Sequence, residues 1–389
     1  MHVLFLIRDN TLADGIARHI LNITTFFVQN PSYGVEPAVC IASGEGDLST
    51  ALRQADVRVF VIGGANGHSI RIANRIRGVL REFKPDVIHA HVVAFWIQVM
   101  LSLFYRHIPV VSTRHGIVME DLFPLQKRSP RRRIADRLFR CFPLNIKREI
   151  FISQGVREFY HGSAESCVIY NPIDFLPLGV PAHKLQRLLG VDASTPVIGT
   201  ACRISCQKNP PAFVRVMCGV LKRMPEVHAM VCGSGEKVYL ENLQKIVIAA
   251  GVEKRFHWLG YRSDAPELLR DLSCFIMTSV TEGLPTTLLE AISRKVPVAF
   301  METSGGLIDL ARLHRTVGPL GIVVAAGDES GMEEQLIRDL AHPEMLQARS
   351  EHAFQITKEI FTLKNICSSL QKIYQGAVSG KIVPLIEHE

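Results

Sequence analysis

Short apolar runs rich in β-branched residues, alternating with helical stretches, most constrain what this chain can fold into. In its first half, strands are predicted at Val3–Ile7, Pro37–Ile41, Val57–Ile62, Val87–His89, Val110–Thr113, Glu149–Ile152 and Val168–Tyr170, with helices at Ala13–Gln29, Ser69–Phe83 and Phe95–Tyr105. This alternation is typical of a parallel sheet covered by helices on both faces. The first half is therefore predicted to be a doubly wound α/β domain.

A second series of the same kind begins at Val197, after a segment rich in proline and glycine. Its strands are predicted at 197–201, Val227–Val231, Phe256–Leu259, Phe275–Met277, Val296–Phe300 and Gly321–Val324. We expect an N-terminal Rossmann-like domain at 1–172, a linker at 173–195, a C-terminal Rossmann-like domain at 196–362, and a final helix within 363–389 that packs back toward the first domain. Two such halves imply a central cleft, into which the loops at the carboxyl ends of the strands open.

The stretch from Ser279 to Ala291 carries chemistry in one of these loops. It passes from a predicted strand through Gly283 and Pro285 into a helix, and helix N-termini with unpaired N–H groups suit a phosphate. Glu282 and Glu290 would be repulsive beside a phosphate unless each accepts from hydroxyl groups, which a sugar and a ribose supply. A structural role for both, as a helix cap and a solvated helix position, fits this stretch equally well.

Other strand-end loops add residues suited to a nucleotide diphosphate. Arg203 offers a fork and Lys208 a point charge on the loop after the strand at 197–201. Gly233-x-Gly235 follows the next strand, although it lacks the third glycine of a dinucleotide fingerprint. Gly15, after the first strand, would let a ligand approach the backbone.

Histidines follow two neighbouring strands of the first half. His115 could donate to a sugar hydroxyl or a leaving phosphate, or it could be a loop histidine bonded to the backbone. His89 and His91 raise the alternative of a metal site, but no carboxylate stands at ligand spacing and the chain has no Asp-x-Asp. We therefore expect no metal.

The chain's positive charge lies entirely in its first half. Residues 1–172 hold 21 Lys and Arg against 14 Asp and Glu, whereas the remainder holds 23 of each. A basic stretch interleaved with apolar residues suits either an anionic membrane surface or a solvated face of a packed helix, and no motif for nucleic acid accompanies it. The arginines proposed for a membrane or acceptor patch are Arg131, Arg132, Arg133, Arg137 and Arg140.

Cysteine usage and hydropathy predict a protein of the reducing cytosol. The nine cysteines include no Cys-x-x-Cys pair. The N-terminus reads as a strand rather than a signal peptide, and no transmembrane segment is expected. The predicted localisation is cytoplasmic, with peripheral contact at the inner face of the cytoplasmic membrane as an option.

Taken together, these motifs resemble the retaining nucleotide-sugar glycosyltransferases of family 4, which have the GT-B fold. The resemblance covers nearly the whole chain. It is carried by the two glutamates of 282–291, Arg203 with Lys208, Gly233-x-Gly235, the run from Lys84 to His91, Thr113-x-His115-Gly116, and the run from Val168 to Asp174.

The resemblance implies a role for each matching residue. Arg203 and Lys208 would hold the donor diphosphate, Glu282 would contact donor-sugar hydroxyls, and Glu290 would bind the ribose. His115 would touch the transferred sugar, while phosphate and sugar would also meet Gly15, Gly233, Gly283, Leu284, Pro285, Thr286 and Thr287. Attack from the front face, with the departing phosphate helping to deprotonate the acceptor, would need no protein nucleophile.

The expected function is transfer of a sugar from a UDP- or GDP-linked donor to a glycan or lipid-linked acceptor, in cell-surface polysaccharide or glycolipid biosynthesis. Two alternatives stay open. One is a GT-B-fold nucleotide-sugar epimerase or hydrolase, and the other is a non-catalytic nucleotide-sugar-binding scaffold. The residues do not distinguish uracil from guanine in the donor.

Overall fold

The computed structural model describes residues 1–12, 15–63, 70–91, 101, 104–117, 146–163, 165–175 and 183–381. They form two compact units, the first within Met1–Pro172 and Leu363–Glu389 and the second within Ile173–Thr362. Most of the helix predicted at Phe95–Tyr105 lies outside the described residues. No helix in the described ranges is both long and apolar enough to cross a membrane.

The first unit is built on a parallel sheet of seven strands in the order β3-β2-β1-β4-β5-β6-β7. The strands are β1 (His2–Ile7), β2 (Glu36–Ile41), β3 (Arg58–Val61), β4 (Val87–His91), β5 (Val110–Arg114), β6 (Ile146–Phe151) and β7 (Cys167–Val168). The helices described between them are α1 (Gly15–Gln29), α2 (Asp47–Gln54), α3 (Ile70–Phe83) and α4 (Gln154–Phe159).

The sequence of strand β1 is continuously apolar, and the packing of its side chains explains why. Val3 and Phe5 pack into the core on one face of the sheet, with Ile20 and Phe27 of α1. Leu4 and Leu6 pack into the core on the other face, with residues of α3. Because side chains alternate between faces along a strand and both faces are covered, every position must be apolar.

The second unit is built on a parallel sheet of six strands in the order β10-β9-β8-β11-β12-β13. The strands are β8 (Val197–Ala201), β9 (His228–Cys232), β10 (Phe256–Gly260), β11 (Cys274–Met277), β12 (Val298–Glu302) and β13 (Ile322–Ala325). The helices are α5 (Lys184–Leu189), α6 (Pro210–Arg223), α7 (Lys237–Ala250), α8 (Ala265–Leu268), α9 (Thr286–Ile292), α10 (Gly306–Val317), α11 (Glu329–Leu340) and α12 (Pro343–Ile360). The strand order reverses between β8 and β11, and ligands of such sheets bind at the carboxyl ends beside this reversal.

The predicted fold class is confirmed, because both units are α/β with parallel sheets. Every strand of the described ranges overlaps a predicted one. Strand β6 begins at Ile146, before the predicted start at Glu149. The prediction started late because Ile146–Arg148 are partly exposed and include two basic side chains, which interrupt the apolar pattern. The segment interpreted as a linker contains α5, whose Leu185 is buried and whose Lys184 pairs with Glu267 in the second unit.

The last helix, α13 (Leu363–Ser379), belongs to the first unit. It buries Ile366, Leu370 and Ile373 against the same core as β1. Its Tyr374 is fully buried, and the hydroxyl lies 2.7 Å from Nδ1 of His89 on β4. A polar contact inside this apolar interface therefore fixes how the helix sits on the sheet.

Replacing Tyr374 with phenylalanine should destabilise the first unit by about 1–3 kcal/mol, because the His89 nitrogen would lose its partner while buried. Chemical unfolding followed by circular dichroism measures this. The matched control is Tyr33→Phe, which removes a 3.3 Å contact between Tyr33 and Ser368 of the same helix at a partly buried site. Equal losses in the two variants would contradict a special role for the buried contact.

Candidate functional site

A largely buried ion pair lies where the sheet of the second unit reverses its strand order. Lys208 stands on the loop after β8 and Glu282 on the loop after β11, with Nζ and Oε1 2.6 Å apart. Their side chains are only 17% and 7% exposed. Two charges this dry require each other, since removing one would leave the other uncompensated. The structure thus brings together two of the residues expected to be catalytic.

Hydrogen bonds join the Lys208 loop to the Glu282 loop. The Val280 N–H donates to the Gln207 carbonyl at 2.8 Å. In return, the Gln207 amide nitrogen donates to the Thr281 carbonyl at 3.1 Å. The Thr278 hydroxyl donates to the Asn209 carbonyl at 3.0 Å. The ion pair is therefore held by its backbone surroundings as well as by its charges.

A third loop, after β12, holds the Glu282 loop from its other side. The Thr303 hydroxyl donates to the Ser279 carbonyl at 2.8 Å, and the Gly306 N–H donates to the Glu282 carbonyl at 2.9 Å. A Cβ at Gly306 would lie 2.9 Å from the Gly283 oxygen. Sequence reasoning missed this loop, although its Ser-Gly-Gly run at the start of a helix was a signal.

Gly233 and Gly235 make room for the Lys208 loop. Gly233 has a φ of +149°, and a Cβ there would come within 1.8 Å of the Cys202 carbonyl oxygen. A Cβ at Gly235 would lie 2.3 Å from the Ile204 carbonyl oxygen. Glycine is thus required at both positions because the Lys208 loop approaches them closely. The spacing of the two glycines in the sequence did not reveal this reason.

The remaining predicted donor residues lie around this pair. Arg203 is exposed and makes no hydrogen bond or ion pair with the described residues. Residues 283–287 continue from Glu282 into the first residues of α9, with Leu284 and Pro285 buried. Glu290 is half-buried, and its carbonyl accepts a 2.7 Å hydrogen bond from Arg294. Burial lowers the pKa of Arg294, and the charge of Glu290 opposes that change.

His115 belongs to a buried cluster of histidines in the first unit. It follows β5, and its Nε2 lies 2.8 Å from Nδ1 of His91 on β4. The ring of His19, on α1, lies 5.4 Å from that of His115. The ring of His89 lies 4.0 Å from that of His91, tilted by 45°, and its Nε2 lies 2.7 Å from the Thr113 hydroxyl. The loop-histidine interpretation missed these contacts, because they come from three separate elements.

All four imidazoles of this cluster are held neutral. Burial lowers the pKa of His89 and of His115 to about 3. The same desolvation, reinforced by the neighbouring histidines, brings the pKa of His19 and His91 well below the usual value. Near neutral pH the cluster therefore offers hydrogen-bonding groups without charge.

The cluster does not form a metal site in the described part of the chain, where no group of three or more His, Cys, Asp or Glu could hold an ion. Both ring nitrogens of His89 are already bonded, to Tyr374 and Thr113. That the reaction needs no metal stays a prediction.

Two further predictions concern the first unit. Gly15 begins α1, and a Cβ there would meet nothing within 4 Å among the described residues, so its contact with phosphate stays a prediction. The basic patch of Arg131, Arg132, Arg133, Arg137 and Arg140 lies outside the described residues.

Two family models match this architecture, one in each unit. Residues 13–175 match the model described as Glycosyltransferase Family 4, and residues 195–342 match Glycosyl transferases group 1. Together the two models span most of the chain, which is a glycosyltransferase. Sequence relatives of this glycosyltransferase chain include the lipopolysaccharide core biosynthesis mannosyltransferase LpcC of Rhizobium leguminosarum bv. viciae, 29% identical over 46% of this chain and 51% of LpcC.

A second relative is the UDP-Gal:alpha-D-GlcNAc-diphosphoundecaprenol alpha-1,3-galactosyltransferase of Escherichia coli, 24% identical over 58% of this chain and 60% of that enzyme. This glycosyltransferase chain thus matches these relatives over only half to three-fifths of their length. Among solved structures, Anabaena HepE in complex with UDP and glucose superposes with a TM-score of 0.78 at 21% identity, covering 97% of this chain and all of HepE. That likeness shows the fold, which is GT-B.

Replacing Gly233 of this glycosyltransferase with alanine should destabilise the second unit and weaken nucleotide binding, because the new Cβ would push the Lys208 loop away. Chemical unfolding and nucleotide titration measure the two effects. The control is Gly251→Ala, where φ is +71° but nothing lies within 4 Å, so that only backbone strain of about 1–2 kcal/mol is added. Loss of nucleotide binding in both variants, or in neither, would contradict the role of Gly233 in making room for the Lys208 loop.

The stability of the first unit should fall as the medium is acidified from pH 7 to pH 5. The folded-state pKa values of the four buried histidines lie below the unfolded value near 6.5. Their contribution is therefore fully present above pH 6.5 and is lost as the pH falls toward the folded values. Each histidine contributes about 1.4 kcal/mol per pH unit in that window.

Urea titrations at pH 7 and pH 5 measure this dependence. His19→Phe should make it shallower, because one of the buried titrating groups is removed. A free energy of unfolding that is unchanged between the two pH values would contradict neutral burial of the cluster.

Proposed function

We propose that this chain transfers a sugar from a nucleotide-diphosphate sugar to an acceptor hydroxyl with retention of anomeric configuration, in the assembly of a cell-surface polysaccharide or glycolipid. The observation that carries the proposal is the buried Lys208–Glu282 pair, 2.6 Å apart at the carboxyl ends of β8 and β11. It sets a cation for a diphosphate beside an acceptor for sugar hydroxyls, at the place where α/β sheets bind ligands.

The cationic side of the site suits the leaving group. As the bond between sugar and phosphate breaks, negative charge grows on the diphosphate, and a cation already fixed in a dry site stabilises it. Lys208 is such a cation, because Glu282 and the surrounding loop hold it in place. Arg203, exposed and unpaired among the described residues, supplies a guanidinium that can bond two phosphate oxygens.

The acidic side suits hydroxyl groups. Glu282 is buried and charge-compensated, so it can accept from donor-sugar hydroxyls without repelling the phosphate that Lys208 neutralises. Glu290, half-buried on α9, is assigned to the ribose hydroxyls. Backbone groups from Gly283 to Thr287 are assigned to the sugar and phosphate between these two acids.

The proposed chemistry needs no protein nucleophile. The acceptor oxygen attacks the anomeric carbon from the face that the diphosphate leaves, and the departing phosphate oxygen takes the acceptor proton. His115 is assigned to the transferred sugar, where a neutral imidazole can exchange hydrogen bonds with hydroxyl groups. No step in this scheme uses a metal.

The acceptor is proposed to be a glycan or a lipid-linked sugar at the inner membrane face. The names of the two relatives support this, one being a lipopolysaccharide core mannosyltransferase and the other acting on a sugar linked to diphosphoundecaprenol. The excess of positive charge in residues 1–172 supports attraction to anionic lipid headgroups.

One nucleotide among UDP, GDP and ADP should raise the thermal unfolding midpoint of the purified protein. A ligand at a hundred times its dissociation constant stabilises by about 2.7 kcal/mol. Lys208→Ala should weaken this effect, whereas Lys222→Ala, an exposed lysine in the last turn of α6, should leave it intact. A midpoint that none of the three nucleotides moves would count against the donor site.

Incubation with the matching nucleotide sugar and candidate lipid-linked acceptors should yield a glycosylated product with the donor's anomeric configuration, read by NMR. Lys208→Ala should slow transfer by about 100- to 1,000-fold, since it removes a preorganised charge at the leaving group. Free sugar or an epimer formed without acceptor would instead identify a hydrolase or epimerase, and nucleotide-sugar binding without turnover would favour a scaffold.

A further inference from the structure

The proposed reaction uses His115 but not the residues buried behind it. His89 and His91 are completely buried on β4, His19 is almost so, and Tyr374 is buried on α13. Three ring nitrogens of the cluster are buried without a hydrogen-bond partner among the described residues, namely His19 Nδ1, His91 Nε2 and His115 Nδ1. Buried unpaired nitrogens cost free energy, so stability alone would favour apolar residues here.

The contact between His91 and His115 restricts both rings. His91 Nδ1 and His115 Nε2 are 2.8 Å apart, and desolvation disfavours a charge on either ring. Between two neutral imidazoles, one of these nitrogens must carry the proton and the other must be bare. The two rings therefore share one tautomer, both Nδ1–H or both Nε2–H, and His115 cannot rotate without breaking the bond.

His91 is itself held rigidly. Its ring contacts that of His89, with centroids 4.0 Å apart and planes tilted by 45°, and stacks on Phe5 at 5.9 Å with a 19° interplanar angle. His89 is fixed in turn through both nitrogens, by Tyr374 and Thr113, each at 2.7 Å. Contacts from residues of β1, β4, β5 and α13 thus fix the orientation of His115 before any ligand binds.

We propose that His91 is a positioning residue for His115, fixing its ring orientation and its tautomer for contact with the transferred sugar. The kinetic part of this proposal rests on the proposed glycosyl transfer, whereas the pairing of the two rings does not. His91 touches no reacting atom in this scheme. It determines which nitrogen of His115 carries a proton when the sugar binds.

Substitutions at His91 distinguish the effect of losing the hydrogen bond at Nδ1 from the effect of changing the packing. Asparagine places its amide where Nδ1 stands, whereas glutamine, equally polar, places it near the Nε2 position and cannot reach His115 in the same way. His91→Gln and His91→Phe should lower kcat by about 10- to 100-fold, as misplacement of a contact group does. His91→Asn should recover most of this loss.

Nucleotide affinity should change less than about twofold in all three variants, because Lys208 and Glu282 belong to the second unit. Equal kcat in wild type and His91→Gln, or losses in His91→Asn as large as in His91→Gln, would overturn the proposal. Should His91→Phe fail to fold, the comparison of the asparagine and glutamine variants still decides it.

The second unit offers a matched control. His228 Nδ1 and His257 Nε2 are 2.9 Å apart, with rings stacked at 5.2 Å, but this pair lies at the amino ends of β9 and β10. His228→Gln breaks a similar contact far from the carboxyl ends of the strands. It should leave kcat unchanged.

Tautomers are read directly by 15N NMR of histidine-labelled protein, without any activity. In the wild type, His115 and His91 should each show one protonated and one bare nitrogen, and His91→Gln should move the His115 shifts toward a tautomer average. Unchanged His115 shifts would overturn the pairing. If the wild type shows paired tautomers but transfers no sugar to any acceptor, the proposed function fails and the pairing stands.

Discussion

The Lys208–Glu282 ion pair is the interaction on which the rest of the second unit's site depends. Glu282 is buried and Lys208 is largely shielded from solvent, so each charge is stabilised by the other, 2.6 Å away. The same pair gives the site its chemistry, since a fixed cation meets a diphosphate and a fixed carboxylate meets hydroxyl groups. Stability and the proposed function therefore require the same geometry of the Lys208–Glu282 pair.

That geometry is enforced by close packing of loops rather than by a long helix. Glycines at 233, 235 and 306 stand where a Cβ would strike neighbouring backbone, so four strand-end loops can meet around the pair. In the first unit the corresponding rigidity comes from imidazoles, with His91 and His89 packed against each other behind His115. In both units the polar groups are thus held in place before a ligand binds, which lowers the free-energy cost of ordering them around it.

The fold and much of the candidate site could be predicted from the sequence. Strands buried on both faces are recognisable as apolar runs, and Lys208 and Glu282 stand in the loops that follow two such strands. The hydrogen bonds that join the Gly306 loop to the Glu282 loop, and the partnership of His91 with His115, could not be predicted, because they depend on which strands become neighbours. Sequence spacing gave His89 and His91 a shared direction. Only the pairing of β4 with β5 brings Thr113 to His89, and only the packing of α13 on the sheet brings Tyr374 to it.

The most direct test compares a nucleotide diphosphate with its sugar-linked form, UDP with UDP-glucose or GDP with GDP-mannose, by isothermal titration. If Lys208 holds the diphosphate and Glu282 the sugar, Lys208→Ala should weaken both ligands, whereas Glu282→Gln should weaken the sugar-linked form more than the nucleotide, because only the former loses a direct contact as well as the positioning of Lys208. Equal weakening of both ligands by Glu282→Gln would mean that Glu282 only holds Lys208. That result would contradict its assignment to the sugar.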